Sequence, residues 1–223
     1  MKTISRKKRC FLAFISFLLI TIMLFNLSGC SALILNVKAQ DLMDGVKAQT
    51  VQGKPADEKF IGNTADFAID LFKKTASETN NSLISPLSVM LALAMTANGA
   101  DKETLTQMQK VLGKDIPLDQ LNEYLYSYVK NLPSERKSKL SIANSIWFRD
   151  DANYLTVEKD FLQKNADYYN AAAYKSAFDS QTLKDINNWV KSKTDGMIDK
   201  ILDNIAKDAV MYLINAVVFY ARW

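Results

Sequence analysis

Histidine is absent from all 223 residues, and only two cysteines occur, Cys10 and Cys30. Without histidine, imidazole acid–base work, Ser-His or Cys-His nucleophile activation and most zinc sites are excluded. Nothing after Cys30 can form a disulfide within the body or build a thiolate metal site. Glycine (seven) and proline (four) are too sparse for a collagen-like or proline-rich chain. Basic clusters are missing as well. Residues 1–29 carry five of the 28 basic residues and no acid, so the rest of the chain holds 23 bases against 24 acids. The near-neutral body has no electrostatic footprint for nucleic acid. Arg136, Lys137 and Lys139 sit beside Glu135 and form no heparin-type patch. Asp150-Asp151 and Asp199/Asp203 match no calcium-loop spacing and read as solvated loop carboxylates. No Gly-rich phosphate loop is present, so no enzymatic site and no cofactor or metal is expected.

What is present begins with an address. Lys2–Arg9 are basic, and Phe11–Leu27 are almost continuously apolar, the two parts of an export signal. That run of 17 is at the short limit for a membrane span. Leu27-Ser28-Gly29-Cys30 resembles a bacterial lipobox. Such a motif implies cleavage before Cys30 and a lipid on that cysteine, which adds ~0.8 kcal/mol of membrane affinity per buried CH₂. The other reading is an uncleaved anchor with an incidental cysteine. Both place the body outside the cytoplasm, at the cell surface in the first case. The organisation expected is therefore an export signal at 1–29, a lipid-anchored tether at 30–57 and a globular part at 58–223.

The globular part mixes helices and strands. Phe67, Ala68, Leu71, Phe72 and Thr75 recur at helical spacing, predicting a helix over 58–76. Ser85-Pro86 is an N-cap followed by proline at the first helical position. The helix it opens, through Met95, is apolar all round and must be interior; Asn98-Gly99 stops it. Further helices are expected at 102–112, 118–132, 157–169 and 182–194. Leu140–Phe148 alternates as a half-buried strand, and 171–178 is a shorter one. Val210–Tyr220 is apolar except for Asn215. A strand without alternation is covered on both faces, so this one is expected at the centre of its sheet. The fold class is α+β.

Several segments taken together resemble the serpin family. They are Asn81-Ser82-Leu83-Ile84-Ser85-Pro86-Leu87-Ser88, Asn98-Gly99-Ala100 with Thr104 and Met108, Ala143–Trp147, Ile186–Val190 with Thr194–Ile198, and Leu213–Trp223. Met197 and Ala221 depart from the family, which often has Lys and Gly there. The resemblance covers about 58–223. It implies a serpin fold with N-terminal helices packed on part of a large central sheet. It also implies an inhibitor of serine, or papain-like cysteine, proteases that works by inserting a cleaved reactive loop into that sheet as a new strand. The non-enzymatic alternative is a serpin-like surface-binding lipoprotein. By resemblance, Ser85, Ser88 and Asn215 belong to the polar shutter beneath the opening sheet, and Trp223 to the breach where insertion starts. Ser85 also reads as a plain helix cap, and Asn215 as a bulge or a turn within the hydrophobic run. The family's reactive loop and shutter histidine have no counterpart in these residues. As written, the chain is therefore expected to form no covalent complex with a protease, and its last strand is expected to lack a neighbour.

Overall fold

The computed structural model describes residues 37–132, 138–153 and 155–221. Six helices and four strands follow in chain order: β1 (Gln40–Asp41), α1 (Glu58–Thr75), α2 (Pro86–Ala97), α3 (Lys102–Leu112), α4 (Leu118–Lys130), β2 (Ser138–Arg149), α5 (Lys159–Tyr169), β3 (Ala172–Ser176), α6 (Ser180–Lys193) and β4 (Met211–Ala221).

The helices start where polar side chains can take the orphan amides. Asp57 accepts from Phe60 N and caps α1, and Ser85 accepts from Ser88 N at the head of α2. Asp179 accepts from Gln181 N and Thr182 N while Thr182 answers Asp179 N, a reciprocal capping box that opens α6. Asn170, in the left-handed region at φ 46°, closes α5. Asparagine is among the few side chains that tolerate that conformation.

α2 is the interior element. Met90, Leu91, Ala94, Met95 and Ala97 are buried, and the helix touches α1, α3, α4, α5 and β4. Burying each large apolar side chain there contributes about 1.5–3 kcal/mol. Burial is not uniform around it: Leu87, Val89, Ala92 and Leu93 are only partly covered. Phe60 of α1 stacks on Tyr124 of α4 with centroids 4.8 Å apart, which fixes two helices against the same core.

The sheet runs β1-β3-β2-β4. β2 and β3 are parallel and joined by the crossover helix α5, whereas β1·β3 and β2·β4 are antiparallel. One face, with Ile142, Ile146, Phe148, Met211 and Leu213, packs in the core that α2 occupies. The other, with Trp147, Tyr212, Ile214 and Ala216, packs with Ile186, Trp189 and Val190 of α6. Two-faced coverage explains the unbroken apolar run of β4. Among the described residues β4 is the last strand of the sheet, with β2 as its neighbour on one side. Its far end emerges from the core, with Phe219 64% and Tyr220 47% exposed.

Residues 37–57 differ from the sequence expectation. Expected as a tether, they run along the body and are bound to it. Asp185, 1% exposed, accepts from Lys38 N and Ala39 N at 3.0 and 2.9 Å, and β1 adds a short edge strand. Val37 and Ala39 pack with the α6 core, and Leu42, Met43 and Val46 with the α2 core. Gln49 N donates to Asp167 Oδ1, and Lys54 N to Glu123 O. At Gly53 the backbone passes so close to α4 that a Cβ would lie 2.9 Å from that of Ser127. The stretch shows no amphipathic period because its partners are supplied residue by residue from elsewhere in the chain.

Candidate functional site

β4 is eleven residues long and is hydrogen-bonded on one side only among the described residues. Its register with β2 runs from Met211↔Phe148 to Ala221↔Ser138, with Asn215 directly opposite Asn144. An unpartnered strand edge is a template for a further strand. Met211–Ala216 of this strand carry packed side chains on both faces, while Phe219–Ala221 emerge from the core.

The polar residues beneath it form a path. Asn215 Nδ2 donates to Asn144 Oδ1 at 2.6 Å, and Asn144 Nδ2 donates to the carbonyl of Tyr169 at 2.9 Å. The Tyr169 hydroxyl donates to Asn122 Oδ1, and Asn122 Nδ2 to Asn98 Oδ1 at 2.8 Å. The path thus joins β4, β2, the end of α5, α4 and the cap of α2. Among the described residues, Asn215 Oδ1 is buried without a hydrogen-bond partner. Burial pushes the Tyr169 phenol far above its usual range, so it stays a neutral donor.

The residues expected to form the shutter share no hydrogen bond between the serines and Asn215 among the described residues. Ser85 Oγ and Ser88 Oγ lie 2.8 Å apart and bond each other, with Ser85 exposed at the head of α2. Asn215 takes Asn144 as its partner instead of either serine. Asn144 lies within the Ala143–Trp147 segment quoted for the resemblance, but its pairing with Asn215 follows only from strand register. Trp223 and Cys30 lie outside the described residues.

The approach to β4 is also fastened. Residues 194–210 cross the α6 face without regular structure. Asn187 Oδ1 accepts from Ile201 N and Leu202 N while its Nδ2 donates to Leu202 O. Tyr212 Oη accepts from Ala206 N. Arg149 donates to the carbonyls of Ala209 and Lys207 at 2.7 and 2.9 Å, its guanidinium 5.0 Å from the Phe178 ring. Asp199 and Asp203 pair with Lys191 and Lys200. Among the described residues no three acidic, cysteine or histidine side chains gather to hold a metal, and no helix is long and apolar enough to cross a membrane.

Comparison with known proteins agrees with this geometry. The family model for Serpin (serine protease inhibitor) matches residues 62–223. The solved native-state structure of tengpin, a thermophilic serpin, is similar at 64% identity and a TM-score of 0.79, over 84% of this chain and 48% of that one. The alpha-1-antitrypsin-like protein GS55-MS of Ictidomys tridecemlineatus is 28% identical over 206 residues, 90% of this chain and 50% of the relative. Human thyroxine-binding globulin, solved as a complex with thyroine, is 26% identical with a TM-score of 0.64, over 74% of this chain and 46% of that one. The chain spans about half the length of these relatives. With its α+β architecture, its two-faced last strand and a family match over most of its length, this chain belongs to the serpin family.

Proposed function

We propose that this chain supplies the sheet-forming part of a serpin-type inhibitor directed at a serine protease, with papain-like cysteine proteases as a second target class. The observation that carries the reading is β4: an eleven-residue strand, packed on both faces over Met211–Ala216, and paired among the described residues to β2 alone. In the mechanism this supports, a protease cleaves an exposed loop contributed by residues beyond 223. The loop then enters the sheet beside β4, and the strained starting state is held by a kinetic barrier. Ser85, Ser88, Asn215 and Trp223 keep the shutter and breach roles that the resemblance implies. The chain acts outside the cytoplasm, held to the outer face of the membrane by lipid on Cys30, and needs no cofactor or nucleic acid.

The test uses the protein extended past residue 223, incubated with a panel of serine and papain-like proteases. The expected product is an SDS-resistant protease complex with a released C-terminal peptide. Cleavage with full protease turnover and no complex refutes the inhibitory reading. Similarity to a thyroxine-binding globulin favours a second reading, a non-inhibitory surface protein. A charged or proline-rich hinge in the loop supports that reading; one rich in small residues supports the first. Metabolic labelling with palmitate, lost in Cys30→Ala, tests the anchor separately.

A further inference from the structure

Gln40, Lys175, Phe148 and Met211 form one row across all four strands. β1 is antiparallel to β3, so the chain upstream of Gln40 leaves past Ser176, at the end of the sheet where β2 stops and β4 begins. It is gripped there: Lys38 N and Ala39 N both donate to the buried carboxylate of Asp185. Only residues 31–36 separate that docked segment from Cys30. Seven Cα steps reach at most roughly 25 Å, whatever conformation they take.

We infer that, in the lipid-anchored protein, the Met211 end of the sheet faces the membrane and the Ala221 end points away from it. This inference rests on lipidation at Cys30. The two ends of β4 are ten residues apart, about 33 Å along the strand. A leash shorter than that distance cannot bring the Ala221 end to the bilayer as readily as the Met211 end. Were 30–57 a free tether, its reach of roughly 100 Å would allow any orientation. The docking of 37–57 is what shortens it. Exposed charge at the membrane-facing end is mixed, Lys38, Lys184 and Lys207 against Asp150 and Asp208, so leash length, not headgroup charge, sets the orientation. A protease arriving from the aqueous side then meets the end of the sheet where the proposed strand insertion begins.

The body has no cysteine beyond Cys30, so single labels are clean. The full chain, expressed with its own leader, is reconstituted into phosphatidylcholine vesicles, with or without phosphatidylglycerol, that carry a headgroup energy acceptor. A donor is placed at Ala177→Cys, beside the Met211 end, or at Lys139→Cys, beside the Ala221 end. Transfer is expected to be several-fold stronger from Ala177→Cys and insensitive to phosphatidylglycerol. Twenty Gly/Ser residues inserted after residue 33 are expected to bring the two signals together. Equal transfer from both labels in protein that floats with the vesicles overturns the orientation alone. Protein that fails to float overturns the lipid anchor, and the orientation with it.

Discussion

Asn215 is an amide inside an apolar strand, and its single bond to Asn144 crosses from β4 to β2. Asn215→Asp sets an acceptor against Asn144 Oδ1, whose own amide nitrogen is engaged by Tyr169 O. Leaving such groups unpaired is expected to cost about 1–3 kcal/mol, read as a lower guanidinium midpoint with an unchanged slope. A double-mutant cycle with Asn144→Ala is expected to show coupling of about 0.5–3 kcal/mol. Additive effects contradict the pairing. Ser85→Ala removes the cap of α2 and is expected to cost about 1 kcal/mol, without coupling to Asn215, because Ser85 bonds Ser88 and Asn215 bonds Asn144. The need for a partner at Asn215 was legible from sequence, since a buried amide must be satisfied. The identity of that partner was not: it lies 71 residues earlier and is set by strand register.

Among the elements, helix starts were legible where the cap is local. Ser85-Pro86 announced α2 one residue from its first turn, and the structure places the cap there. The capping box of α6 was missed because Asp179 follows Phe178, a buried residue at positive φ that breaks the strand-to-helix pattern. Caps also make stability depend on pH. The hydroxyl of Tyr124, and then Phe60 N, hold the Asp57 carboxyl below the usual range, and Thr182 N and Gln181 N do the same for Asp179. A carboxylate with a lowered folded pKa contributes stability fully above its ordinary unfolded value near 4, and loses it as pH falls through the folded value. Denaturant melts between pH 6 and 2 are therefore expected to show an acid limb that Asp57→Asn and Asp179→Asn each flatten. An identical limb in both variants contradicts the assignment. The segment 37–57 was illegible as structure because it is held by single long-range bonds, with no pattern of its own. Asp185→Ala removes the two bonds that hold Lys38 N and Ala39 N, with a third from Gln181 Nε2, each worth about 0.5–1.5 kcal/mol. Amide exchange at Leu42, whose N–H reaches Ala173 O, is expected to quicken while that of α2 stays unchanged.

For the whole molecule, the unbroken apolar run of β4 was read as a strand covered on both faces, and α2 and α6 cover it. Coverage of faces is recorded in side-chain pattern, whereas pairing at an edge is a backbone property that leaves no such mark. The edge beside β4 is therefore the feature on which the proposed inhibition turns. Hydrogen exchange across 211–221, in the protein extended past residue 223 and compared before and after cleavage by a target protease, tests it most directly. The β4 amides that do not bond to β2 are expected to slow sharply once the cleaved loop pairs with them. Unchanged exchange at those amides after complete cleavage would contradict the account.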